Sequence, residues 1–121
     1  MVLVVPRILL IDDDLRFRRT LHLALDSHGY EVGEAASGKE ALDSIPVHSP
    51  DLIVLDCHMP RMNGLEICRA IRAKFDQPVI MVSANQSNSR SAALEAGAVD
   101  YLAKPFALED LLQRIEIALR R

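Results

Sequence analysis

Four short apolar runs in this sequence end in residues able to hold a cation or a phosphoryl group. Ile8 to Ile11 leads into Asp12, Asp13 and Asp14, Leu52 to Leu55 into Asp56, Val79 to Val82 into Ser83, and Tyr101 to Ala103 into Lys104 and Pro105. If one rim gathers these ends, acids, a hydroxyl and an ammonium face a common point. Three carboxylates within a few ångströms repel by roughly 1 to 4 kcal/mol per pair across effective dielectrics of 80 to 20, so the cluster calls for a cation. Oxygen-only ligands indicate Mg2+, with Mn2+ or Ca2+ as alternatives. Taken singly, each Asp reads equally well as a strand-end turn residue or a helix cap, and Asp14 reads as a cap only.

For the four ends to meet, the runs must lie side by side. Continuous apolar runs of this length are strands buried on both faces. Helical spacing fills the intervals: Phe17, Leu21, Ala24 and Leu25; Ala41, Leu42 and Ile45; Leu65, Cys68 and Ile71; Leu108, Leu111, Leu112, Ile115 and Leu119. Ser37 with Glu40 and Asn63 with Glu66 have capping-box spacing, and Gly29 and Gly97 stand where helices would end. With a weaker strand at Tyr30 to Ala35, five strands alternate with five helices. The fold predicted is α/β, a doubly wound five-stranded parallel sheet in a (βα)5 three-layer sandwich, whose ligand rim is the carboxyl ends of the strands.

The chain has 121 residues, 50% of them apolar, which suits one domain spanning 1–121. A net charge of −3 offers no basic footprint, so direct nucleic-acid binding by this segment is not expected. Cys57 and Cys68 have neither CxxC nor metal-ligand spacing, and a reducing cytoplasm is the expected compartment. The first apolar run is broken by Pro6 and Arg7 and reads as a strand rather than a signal peptide or membrane span. No glycine-rich phosphate loop follows it, which argues against a nucleotide-binding protein of similar design.

The segments ILLIDDD, PDLIVLDCHMPRMNGLE, PVIMVSA and AGAVDYLAKPF resemble the signature segments of bacterial response-regulator receiver domains over essentially the whole chain. The resemblance implies a flavodoxin-type, CheY-like fold and a two-component signalling switch. A sensor histidine kinase would phosphorylate Asp56. Asp13 would be a direct Mg2+ ligand, Asp12 would help through water, and Asp56 and the main-chain carbonyl of His58 would complete the set, with Mn2+ as an alternative metal. Lys104 would pair with the phosphoryl oxygens and Ser83 would donate its hydroxyl to them. The Lys104 to Pro105 bond is expected to be cis. Tyr101 would be the switch aromatic, turning inward as Ser83 is drawn to the phosphoryl and repacking the surface of the fourth helix, fifth strand and fifth helix. His58 and Asn85 occupy the positions that tune phosphoryl lifetime, although His58 also reads as a partly solvated loop side chain. Such a domain is a switch rather than an enzyme, limited to self-phosphorylation and slow self-dephosphorylation. The charge logic is independent of the family, because a carboxylate attacks phosphorus only when both negative charges are offset, here by a divalent cation and Lys104.

Ser83 replaces the commoner Thr, and the stretch from Ser83 to Lys104 is one residue shorter than in most relatives, so an irregular loop is expected around Gln86 to Ser89. The closing KPFALEDLLQRIEIALRR is similar to that of winged-helix transcription regulators of the OmpR and PhoB type. This implies transcriptional output through a C-terminal DNA-binding domain missing from the sequence. It also implies a homodimer through the fourth helix, fifth strand and fifth helix, with cross-dimer pairs of Arg90 with Asp110 and Asp100 with Arg114. Exposed pairs of this kind contribute less than ~1 kcal/mol each and fix register more than affinity. Glu95 would face Glu116 repulsively, and Val99 stands where those relatives often carry Asp. A stand-alone receiver acting by protein binding is the alternative output. A haloacid-dehalogenase-type phosphatase is a further reading, but it wants an acid two residues after the nucleophile, where this chain has His58. Kinase contact would be sought on the first helix at Arg16, Arg18, Arg19 and His22 and on the loop after Lys104, although those arginines read equally as a solvated face.

Overall fold

Side-chain alternation decides how the strands stack. Residues two apart in a strand share a face, and the core divides accordingly. Ile8, Leu10, Leu52, Val54, Ile80, Val82 and Leu102 point to one side, and Leu9, Ile11, Ile53, Leu55, Val79 and Met81 to the other. The computed structural model describes residues 4–56, 63–84 and 90–120. Its elements are β1 (Arg7–Ile11), α1 (Leu15–Ser27), β2 (Glu31–Ala35), α2 (Gly38–His48), β3 (Leu52–Asp56), α3 (Gly64–Lys74), β4 (Val79–Ser83), α4 (Arg90–Glu95), β5 (Asp100–Ala103) and α5 (Leu108–Leu119). The strands form one parallel sheet in the order β2-β1-β3-β4-β5.

Leu21 and Leu25 of α1 and Leu111, Ile115 and Ala118 of α5 cover the first face. Ala41 and Ile45 of α2, Ile67, Cys68 and Ile71 of α3 and Ala93 of α4 cover the second. The three layers are those predicted. Every residue of β3 and β4 is buried, whereas the edge strand β5 is only partly covered. Cover is therefore complete along β3, which ends in Asp56, and thinner along β5 at Tyr101.

The punctuation also falls where the sequence places it. Ser37 accepts from the N–H of Glu40 at 3.1 Å, and Asn63 from the N–H of Leu65 at 2.8 Å. Asp14 caps α1, accepting from the N–H groups of Arg16 and Phe17 at 3.0 and 3.2 Å. Gly97 closes α4 at φ 106°, and the stem of Arg72 lies where a side chain at that position would project. Any other residue there is strained by its φ and must displace Arg72. Asp56 and Ser83 are the last residues of their strands, as the sequence has them, with Asp56 in register with Val82 and Ser83 with Ala103. Their polar side chains stand at the rim while their backbones are still held by the ladder. Among the described residues, no helix is long and apolar enough to cross a membrane.

Candidate functional site

Among the described residues, three polar or charged side chains are buried, Asp12, Asp56 and Ser83, and all three stand at the carboxyl rim of the sheet. Buried acids are rare unless paired. Lys104, in the loop leaving β5, supplies the pairing: its Nζ lies 2.8 Å from Asp56 Oδ2 and 4.0 Å from Asp12 Oδ2. The N–H of Lys104 donates to the Ser83 carbonyl at 2.8 Å, tying that loop to the end of β4. The Lys104 to Pro105 peptide is cis, as expected.

Asp12 is the less satisfied acid. Its Oδ1 accepts from the N–H of Asp14 at 2.9 Å, but its Oδ2 is buried without a hydrogen bond. Burial, more than any other cause, pushes its carboxyl up to about 7; the Asp56 charge adds to the rise, while the Asp14 N–H and Lys104 oppose it. A buried acid oxygen lacking a donor, beside a second carboxylate, fits a hard oxygen-seeking cation. Asp13 lies on the exposed side of the same loop. Among the described residues, no three acid, imidazole or thiol groups converge as a cation cage. Asp12 and Asp56 meet, Lys104 offsets their charge, and Asp13 stands beside them without closing the set. His58, with its carbonyl, and Asn85 lie outside the described residues, as do Cys57 and the Gln86 to Ser89 loop.

Phe17 is a member of this site that sequence reasoning assigned only to the core stripe of α1. Lys104 Nζ sits 4.0 Å from the centroid of its ring, and Phe106 meets that ring edge-on at 6.3 Å. The signal available was position: Phe17 lies in the first turn of the helix that leaves the acidic loop. A cleft of about 500 Å3 opens beside Lys104, with Phe17, Leu21, Ala24, Pro105, Phe106 and Leu108 in its walls.

Tyr101 is partly buried on the sheet face covered by α2, α3 and α4, in register with Met81. Next to it, Asp100 Oδ1 accepts from Arg114 Nη1 at 2.7 Å and from the Tyr101 N–H at 2.8 Å, and it meets Arg90 Nη1 at 2.9 Å. Burial pushes the Asp100 carboxyl up, but the two arginines and the Tyr101 N–H outweigh it and hold the group below the usual carboxylate range. Both arginines expected in cross-dimer pairs thus converge on Asp100 within one chain, while Asp110 is exposed on α5.

The first-helix arginines separate into two kinds. Arg16 is exposed, but Arg18, Arg19 and His22 all reach Glu34 of β2. Burial raises the Glu34 carboxyl, and its hydrogen bonds to Arg18 and His22, with the charge of Arg19, reverse this to a net lowering. Cys68 is an apolar core residue whose thiol burial pushes up.

Comparison with known proteins agrees with the fold. The family model described as the response regulator receiver domain matches residues 8–116. The chain is 50% identical over 117 residues to "Response regulator MprA" of Mycolicibacterium vanbaalenii, covering 95% of this chain and 51% of the relative. The same figures hold for the MprA of Mycobacterium avium (strain 104). Among solved structures, the BeF3-activated N-terminal receiver domain of Klebsiella pneumoniae RstA is similar at a TM-score of 0.89 and 28% identity, over 95% of this chain and 99% of that one. A two-component response regulator from Clostridium difficile is similar at 0.89 and 32%, over 96% and 97%. The chain spans about half the length of the curated relatives it matches.

Proposed function

The chain belongs to the response-regulator receiver family, and from that premise we propose that it is a phosphorylation switch in which Asp56 accepts a phosphoryl group from a sensor histidine kinase. The observation that carries this reading is the buried Asp56 carboxylate, held 2.8 Å from Lys104 Nζ beside an Asp12 oxygen that has no hydrogen bond. An Asp56 oxygen attacks phosphorus in line, the bond from phosphorus to the kinase imidazole nitrogen breaks, and that nitrogen keeps the electron pair. Lys104 is already placed to follow the negative charge from the carboxylate to the phosphoryl oxygens. Asp13, Asp56 and the main-chain carbonyl of His58 would hold Mg2+, with Asp12 helping through water, and the cation would supply positive charge against those oxygens.

The acyl phosphate adds roughly −1.5 to −2 of charge and new acceptor oxygens. Ser83, at the end of β4, donates its hydroxyl to them, and Tyr101 turns into the space this leaves. The motion is passed to α4, β5 and α5, where Asp100 links all three elements. His58 and Asn85 set how quickly water removes the phosphoryl group. The kinase contacts the cleft beside Lys104 and the exposed Arg16 and Arg19 of α1. Output runs through a DNA-binding domain in the other half of a transcription regulator of the OmpR type, in the cytoplasm, with homodimerisation through the α4, β5 and α5 face.

Intact mass after incubation with acetyl phosphate tests the site directly. A single phosphoryl adduct is expected with Mg2+, none without it, and none in Asp56→Asn. An undiminished adduct in Asp56→Asn would mean that another residue is the acceptor, and no adduct under any condition would leave a partner-binding domain without phosphorylation.

A further inference from the structure

Arg18 is the least exposed of the α1 cations: its side chain is 10% exposed, against 67% for Arg19. Its fork bridges two elements. Nε donates to Glu34 Oε1 at 2.6 Å, and Nη1 donates to the main-chain carbonyl of Asp12 at 2.6 Å. Glu34 is itself braced, by His22 Nδ1 at 2.5 Å, by Arg19 Nε at 3.2 Å and by its register with Leu10 in the β1 and β2 ladder. The N–H of Asp12 donates to the Ala35 carbonyl at 3.1 Å. The acidic loop is therefore gripped on both sides of Asp12, by β2 through its amide and by Arg18 through its carbonyl.

A peptide group is planar, so fixing the Asp12 carbonyl fixes the plane that carries the Asp13 amide, and with it the direction in which Asp13 leaves the loop. We propose that Arg18, braced by Glu34, is a positioning residue of the acidic loop, holding the peptide between Asp12 and Asp13 so that both carboxylates are preset for the divalent cation. This rests on the reading of the site as a cation-dependent phosphoacceptor. Groups that orient ligands without touching the metal typically change affinity by about 10- to 100-fold when removed. The sign separates this role from simple charge. A guanidinium close to the acids opposes a divalent cation by Coulomb's law, so deleting it on charge grounds alone tightens binding. Loss of positioning weakens it.

Mg2+ titrated into the whole chain and followed by amide NMR shifts decides between the two, with no reference to phosphorylation. Arg18→Met is expected to weaken Mg2+ binding roughly tenfold. Arg19→Met removes the same charge from the same Glu34 carboxylate but touches nothing at Asp12, and is expected to stay within about twofold of wild type. Arg18→Lys keeps the charge but has no planar fork to span Glu34 and the Asp12 carbonyl, so it is expected to weaken binding as well; it decides alone if Arg18→Met does not fold. Unchanged or tighter binding in the Arg18 variants, with wild type binding normally, overturns the positioning role and leaves the site reading intact. A wild type that neither binds Mg2+ nor takes a phosphoryl group from acetyl phosphate overturns the site reading and this role with it.

Discussion

At the scale of single residues, Asp12 is where the fold accepts an energetic cost for the sake of the site. A buried carboxylate oxygen without a donor costs about 1 to 3 kcal/mol relative to a satisfied one. Asp12→Asn keeps an oxygen to accept the Asp14 N–H and gains an amide that can donate toward Asp56. Without divalent cation, Asp12→Asn is therefore expected to be more stable than wild type by ~1 kcal/mol, a rise of about 3 °C in melting temperature for a domain of this size. With millimolar Mg2+ the order should close or reverse, since ligand binding stabilises only the protein that keeps the ligand. Paired thermal scans with and without Mg2+ check both halves, and a variant less stable than wild type in chelator would show that the orphaned oxygen carries no cost. The place of Asp12 at the rim was legible from its position after an apolar run. That of Phe17 was not, because an aromatic at helical spacing is ordinary core and nothing local says that an ammonium from residue 104 will lie over its ring. Arg18 was hidden for a related reason: its partners, Glu34 and the Asp12 carbonyl, are brought to it by the β2 and β1 pairing rather than by helical neighbours.

At the scale of elements, Asp100 ties β5 to α4 and α5 through Arg90 and Arg114. Its carboxyl is held below the usual range, so the folded protein favours the charged form more than the unfolded chain does. A group of this kind adds stability that is fully present above the unfolded value near 3.9 and is lost as pH falls through the folded value. Asp100→Asn is expected to cost about 1 to 2 kcal/mol at pH 7 and to flatten the acid side of the stability curve. Urea unfolding of both proteins at pH 7 and pH 3 measures this, and parallel acid limbs would show that Asp100 is not a source of the acid loss. Glu34 acts in the same direction and leaves a residual acid sensitivity in the variant. The element order, the parallel sheet and the caps could all be read in advance, because apolar period and capping residues are local signals. That Arg114 and Arg90 both reach Asp100 within one chain could not, because β5 and the helices that carry the two arginines meet only in the fold.

At the scale of the whole molecule, the face made by α4, β5 and α5 must serve both as a folded surface and as the proposed output surface. With Asp100 already shared by two arginines inside the chain, ion pairs between copies add register more than affinity. Affinity has to come from apolar area, and the helices on this side expose Leu94 of α4 at 45% and Ile117 of α5 at 44%. A stable pairing needs on the order of 1,000 Å2 of well-packed surface, more than isolated aliphatic residues provide in the resting arrangement. Inward rotation of Tyr101 would change the surface beside them, so dimerisation should depend on the state of Asp56. Sedimentation at tens of micromolar is expected to show a monomer without phosphodonor and a dimer with beryllofluoride and Mg2+. Ile117→Glu should keep the phosphoryl adduct by mass while remaining monomeric, because it places a charge in the apolar contact and lies far from the rim in sequence. A dimer that persists in Ile117→Glu would place the contact on another face, and a wild type that stays monomeric with beryllofluoride bound would favour output through a different partner protein over the OmpR-type arrangement.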